Sequence, residues 1–244
     1  MAARLAVWSG PRNVSTALMR SWENRPDTMV VDEPLYAHYL AVTGIDHPGR
    51  EEVLAVGETD WRRVVEELLA PVPDGIAVSY QKHMAHHLVD DVAHDWIARL
   101  TNVLLIRDPR EVVASYVKNR ADVHPDDIGL RQQVHLYDEL ASRGSPPPVI
   151  DAADFLQQPE SFLRRMCDLV EVPFDPAMLH WPAGPRPTDG VWARHWYAAV
   201  ETSTGFAPYR PREVRLAGHA LDVAEACLPA YQSMHARRWI CPTG

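Results

Sequence analysis

The stretch RLAVWSGPRNVSTALMRSW, residues 4–22, reads as a short apolar strand over Leu5 to Trp8, a turn at Gly10 and Pro11, and a helix opening between Asn13 and Ser15. A helix N-terminus offers free backbone N–H groups and the positive end of a dipole, so it attracts phosphate or sulfate. Arg12 sets a fixed cation in the turn, and Ser15 and Thr16 add hydroxyl donors. The backbone of Asn13, Val14 and Ala17 completes the candidate anion loop, residues 12–17. A second stretch, NVLLIRDPREVVASYV, residues 102–117, repeats the plan. A buried strand ends in Arg107, Asp108 and Pro109 start a helix, and Ser115 follows two turns on. Two strand-to-helix anion sites, each with an arginine, imply a nucleotide carrying phosphates at both ends. Each segment read singly is also an ordinary helix cap.

Outward from these segments, strands and helices alternate, as in a parallel α/β sheet. The strand candidates are Leu5 to Trp8, Thr28 to Val31, Gly75 to Ser79, Val103 to Ile106 and Val149 to Asp151, short and rich in Val, Ile and Leu. Helices are predicted at Ser15 to Asn24, Leu35 to Val42, Trp61 to Leu69, Ala85 to Leu100, Arg110 to Lys118, Leu130 to Ser142 and Pro159 to Val170, with a last helix over Leu216 to Arg238 broken near Pro229. The expected class is a three-layer parallel sheet flanked by helices, in one domain over residues 1–244. Residues 181–215 are interrupted by Pro and Gly among aromatics and read as a lid or binding-loop segment.

The net charge of −9 argues against a nucleic-acid partner. No apolar run approaches the roughly 18 residues that cross a membrane. Three cysteines without a CxxC pair indicate neither a disulfide framework nor a zinc site and fit a reducing cytoplasm. Of 24 basic residues only Lys82 and Lys118 are lysines, so Lys82 beside a histidine is notable. The first loop lacks the GK[ST] ending of nucleotide triphosphatases.

The paired motifs resemble those of the sulfotransferases that use 3′-phosphoadenosine 5′-phosphosulfate (PAPS), a family with a P-loop-like α/β fold. There, the first loop binds the 5′-phosphosulfate, and an IRDPRDVxxSY-like segment binds the 3′-phosphate through an arginine and a serine eight positions on. The resemblance thus implies cofactor contacts from residues 12–17 and from Arg107 and Ser115. The loop is similar to the PRSGTT form of tyrosylprotein-type members, with Val14 in place of the family glycine. Residues 149–175 resemble the family's closing strand and helix, and no RKG tripeptide follows.

Three residues are candidates for the reacting centre. Glu33, just after the second strand, is placed to take a proton from an acceptor hydroxyl, and some family members carry a catalytic Glu at this distance from the basic loop residue. Its bland role is to cap the helix after Pro34. YQKHM, residues 80–84, resembles the KTHLP region of cytosolic members, where the histidine is the base. His83 is then a second candidate base, and Lys82 a cation for the bridging oxygen as sulfuryl leaves. His83, His87, Asp91 and His94 would share a helical face, but twelve histidines make such faces common, and no metal is expected. The expected activity is sulfuryl transfer from PAPS to a hydroxyl or amine of a small molecule, with a homodimer allowed. The alternatives are a P-loop kinase-like phosphotransferase and an inactive nucleotide-binding module.

Overall fold

The computed structural model describes residues 2–118, 120, 122–211 and 213–241. Its centre is a five-stranded parallel sheet of β1 (Ala3–Ser9), β2 (Thr28–Asp32), β3 (Val78–Met84), β4 (Thr101–Ile106) and β5 (Val149–Asp151), in the order β2-β3-β1-β4-β5. The helices are α1 (Ser15–Glu23), α2 (Tyr36–Thr43), α3 (Arg50–Val56), α4 (Trp61–Leu69), α5 (Pro109–Tyr116), α6 (Leu130–Ser142), α7 (Ala152–Gln157), α8 (Pro159–Leu169), α9 (Ala193–Trp196), α10 (Ala198–Glu201) and α11 (His219–His235). The expected three-layer α/β class is the one observed.

Strand alternation explains the two cores. Leu5, Val7, Val103 and Leu105 pack on one face with Leu18, Met19 and Trp22 of α1 and Phe162, Leu163 and Met166 of α8. Ala6, Trp8, Leu104 and Ile106 pack on the other with Val112 and Val113 of α5, Leu136 and Leu140 of α6, and Val223 and Ala224 of α11. Each such fully buried large side chain contributes about 1.5–3 kcal/mol. Both faces being covered accounts for the near-continuous apolar runs in the central strands.

The connection from β1 leads to β2 on one side, while β4 leads to β5 on the other. The side to which the connections lead therefore switches between β1 and β4, and in open α/β sheets ligands bind beyond the carboxyl ends of the strands at such a point. The two arginine-bearing turns emerge there.

Three expected elements differ. The third strand lies at Val78–Met84 rather than Gly75 to Ser79. Gly75, at φ +87°, belongs to the preceding turn, and the polar run Gln81–Lys82–His83 extends the strand because each side chain finds a buried partner. Residues 85–100 form a succession of tight turns instead of one helix. Their backbone bonds span three residues, as from Leu88 to Ala85, Val92 to Val89 and Ile97 to His94. His86 and His87 are drawn into ring contacts with Tyr36 and Tyr39, which bends the chain away from a helical course. At the C-terminus α11 runs unbroken through Pro229, held on both sides of it by burial of Val223, Ala224, Cys227 and Met234.

Candidate active site

The loop from β1 into α1 owes its path to Gly10 and Asn13. A Cβ at Gly10 would stand 2.2 Å from the Ile128 carbonyl oxygen, so only glycine allows this close approach. Asn13 ties the loop to the end of β4: its Nδ2 donates to the Leu105 carbonyl at 3.0 Å, and its Oδ1 accepts from the Val14 N–H at 2.8 Å. Among the described residues no side chain caps the first turn of α1, so its N–H groups remain available. Arg12 holds a left-handed backbone, φ +53°, that costs a non-glycine residue about 1–3 kcal/mol. Glu33, at φ +45°, shares this feature. Such strain gathers at functional sites.

The second turn closes on the first. Asp108 caps α5 by accepting from the Arg110 N–H at 2.9 Å, with Pro109 at the first helical position. Arg107 donates through Nη1 to the Arg12 carbonyl at 2.8 Å and pairs with Glu111 at 2.7 Å. Arg12 donates through Nε to Ser115 Oγ at 3.0 Å and through Nη1 to the Trp196 carbonyl at 3.3 Å. Burial, with Arg107 beside it, lowers the pKa of the Arg12 guanidinium. Arg12, Arg107 and Ser115, taken from two distant segments, thus form one connected group.

All of these line a cavity of about 950 Å³, in the upper part of the usual range for small-molecule sites. Residues 12–17, Glu33, Lys82, Arg107 and Ser115 all contribute to its wall. The irregular segment 181–215 does so too, through Trp196, Tyr197 and the stretch around Phe206 to Arg210. Its middle is ordered into α9 and α10, and Asp189 anchors it to the buried Arg20 at 2.6 Å.

On the far wall, Lys82 Nζ donates to Asp32 Oδ1 at 2.7 Å, Glu33 Oε1 at 2.6 Å and Tyr197 Oη at 2.7 Å. Those bonds occupy all three ammonium donors. Burial opposes the charge on Lys82, but the two carboxylates outweigh it and hold its pKa well above the ordinary value. Burial raises the pKa of Glu33, and Asp32 adds to the rise against the opposing pull of Lys82. Tyr36, His47, Tyr116 and Trp196 form an aromatic wall beside this group, with His47 stacked on Trp196 at 5.1 Å and Tyr116 on Trp196 at 6.0 Å. Burial lowers His47 to about 4 and His86 to about 3, so both rings are neutral at pH 7.

His83 is placed elsewhere. It points to the opposite face of β3 from Lys82, stacked on Trp8 at 4.1 Å and beside Trp96, with its Nε2 near Gln81 Oε1 at 3.2 Å. It does not line the cavity, and burial lowers it to about 3. The supposed histidine–aspartate face is dispersed as well. His87 stacks on Tyr36, Asp91 meets His38 at 3.1 Å, and His94 pairs with Glu139 at 2.7 Å. Among the described residues, Asp151, Asp154 and His235 bring three metal-type donors together, but Asp151 already caps α7 and accepts from Tyr231, and Asp154 pairs with Arg238.

Sequence reasoning missed Asp32 and Tyr197 as partners of Lys82. Asp32 directly precedes Glu33 in the chain. Tyr197 lies 115 positions from Lys82, and no local pattern announces that contact.

Comparisons with known proteins agree with this architecture. The sulfotransferase-domain family model matches residues 3–238. Two Arabidopsis thaliana proteins, described as branched-chain-amino-acid aminotransferase-like proteins 1 and 2, are 40% and 37% identical over 94% and 92% of this chain. The chain spans only 41% and 40% of the length of those curated relatives. Among solved structures, the sulfotransferase domain from the curacin biosynthetic pathway matches with a TM-score of 0.54 at 15% identity, over 93% of this chain and 97% of that one. The sulfotransferase domain of the Synechococcus PCC 7002 olefin synthase matches at 0.57 and 16%, over 99% and 96%. At such identities these two likenesses concern the fold. With the family match running from β1 to beyond α11, the chain belongs to the sulfotransferase domain family.

Proposed function

We propose that the chain transfers a sulfuryl group from PAPS to a hydroxyl or amine of a small-molecule acceptor. The observation that carries this reading is the meeting of two arginine-bearing helix starts and a buried carboxylate–ammonium group on one cavity. The uncapped first turn of α1 and Arg12 fit a 5′-phosphosulfate, and Arg107 with Ser115 fits a 3′-phosphate. PAPS supplies the activated sulfuryl group. Glu33 is assigned as the base, because His83 is sealed behind the sheet. Lys82 is assigned to balancing Glu33. With its three donors engaged, the cation for the bridging oxygen is better sought in Arg12, whose Nη2 makes no hydrogen bond among the described residues. The aromatic wall beside Glu33 is the acceptor side.

Calorimetry tests the cofactor. Adenosine 3′,5′-bisphosphate should bind about 30–150-fold more tightly than 5′-AMP, since losing a charge-assisted set of contacts costs about 2–3 kcal/mol. Arg107→Ala should remove most of that difference, and Ser115→Ala less of it. Equal affinities for the two nucleotides would refute the reading. Magnesium-dependent ATP turnover would point to a phosphotransferase, and tight bisphosphate binding without transfer to any acceptor would point to an inactive binding module.

A further inference from the structure

Tyr197 belongs to the irregular segment, yet its phenol is buried at the end of the sheet. Its O–H donates to Asp32 Oδ2 at 2.6 Å. The same oxygen accepts from Lys82 Nζ at 2.7 Å and from Trp192 Nε1 at 3.3 Å. A phenol has one proton to give and two lone pairs to receive, so it is fully used. Lys82 can only donate and Asp32 accepts, which forces the direction of every bond in the group. Lys82 is thereby held between Asp32 and Glu33. The preceding residue, Trp196, accepts through its carbonyl from Arg12. Two consecutive residues of one segment therefore touch both the anion loop and the carboxylate group.

We propose that Tyr197 is a positioning residue: it keeps the Lys82 ammonium on Glu33 by occupying the remaining oxygen of Asp32 and the third donor of Lys82. Without the phenol oxygen, Asp32 Oδ2 loses its donor and one Lys82 N–H its acceptor among the described residues. The ammonium then swings to bridge both Asp32 oxygens and loosens from Glu33. The groups facing Glu33 are Asp32 on β2, Lys82 on β3, Tyr36 on α2, Tyr116 on α5 and Tyr197 itself. Lys82 is the cation among them, so its withdrawal must favour the protonated carboxyl.

The catalytic meaning of this role rests on Glu33 being the base, but its test does not. Carboxyl-labelled glutamate is titrated by carbon NMR in the wild type and in Tyr197→Phe, with the Glu33 signal assigned from Glu33→Gln. Glu33 should titrate about one unit higher in Tyr197→Phe, a roughly tenfold loss of carboxylate at a given pH below the transition. Adenosine 3′,5′-bisphosphate affinity should stay within about twofold. Trp192→Phe leaves the phenol but removes one of its donors, and should give a smaller shift of the same sign. It carries the test should Tyr197→Phe not fold. Superposable curves overturn the proposal, as does a shift accompanied by lost bisphosphate binding, which marks general disruption. A Glu33→Gln variant that transferred sulfuryl at the normal rate would refute the base assignment and leave the titration result standing.

Discussion

Glu33→Gln is expected to slow single-turnover sulfuryl transfer by about 10²–10⁴-fold while leaving bisphosphate affinity nearly unchanged. The amide keeps the size and the hydrogen bond to Lys82 but cannot accept the acceptor's proton. In the proposed reading Arg12, Arg107, Ser115 and the start of α1 hold the cofactor, so its affinity should be spared. His83→Ala is the control. Its ring contributes packing against Trp8 and Trp96, so the variant should lose stability and retain its rate once folded. The reverse ranking, a crippled His83→Ala and a normal Glu33→Gln, would relocate the base.

The same assignment fixes a pH dependence. Burial and Asp32 raise the pKa of Glu33 above the ordinary carboxylate value, with Lys82 opposing them. The base must be ionised to act, so activity should be present above that raised pKa and lost as pH falls through it. The acid limb of kcat therefore lies at higher pH than for an exposed glutamate and disappears in Glu33→Gln.

The two strand-to-helix turns were legible in the sequence because their geometry is local. A strand, a turn residue, an arginine and a helix start occupy a dozen consecutive positions, and backbone geometry follows from them. The sheet was legible for a related reason: strands buried on both faces must be apolar throughout. The third strand misled because its polar run, Gln81–Lys82–His83, looks like an exit from the core. Only the fold reveals that Leu68, Asp32, Glu33 and Tyr197 wait inside to receive those side chains. The equivalence of Glu33 and His83 as bases broke for the same reason. Lys82 and His83 are neighbours in sequence, but strand alternation sends one to the cavity and the other behind the sheet. Residues 85–100 show the opposite error. Apolar positions Leu88, Val92 and Trp96 recur at helical spacing and are all buried, yet the ring contacts of His86 and His87 set a different path.

Lys82→Met is expected to lower folding stability by about 3–5 kcal/mol at neutral pH, read as a fall in the denaturant midpoint. The side chain is 1% exposed and pairs with two carboxylates, so its removal strands their charge in a water-poor site. Desolvation and mutual repulsion would then raise the carboxyl pKa values in the folded state above those of the unfolded chain. The folded state would bind more protons than the unfolded one across that interval, and stability must fall as pH rises through it. The deficit of Lys82→Met should therefore be smallest in mild acid and largest at pH 7 and above. Adding Asp32→Asn removes one stranded charge and keeps an acceptor for Tyr197, so the double variant should regain part of the loss, a coupling that a double-mutant cycle measures directly. An additive double variant, or a deficit independent of pH, would mean that Lys82 serves the fold by packing rather than by charge. In that case the group around Glu33 could not be the electrostatically balanced base proposed for it.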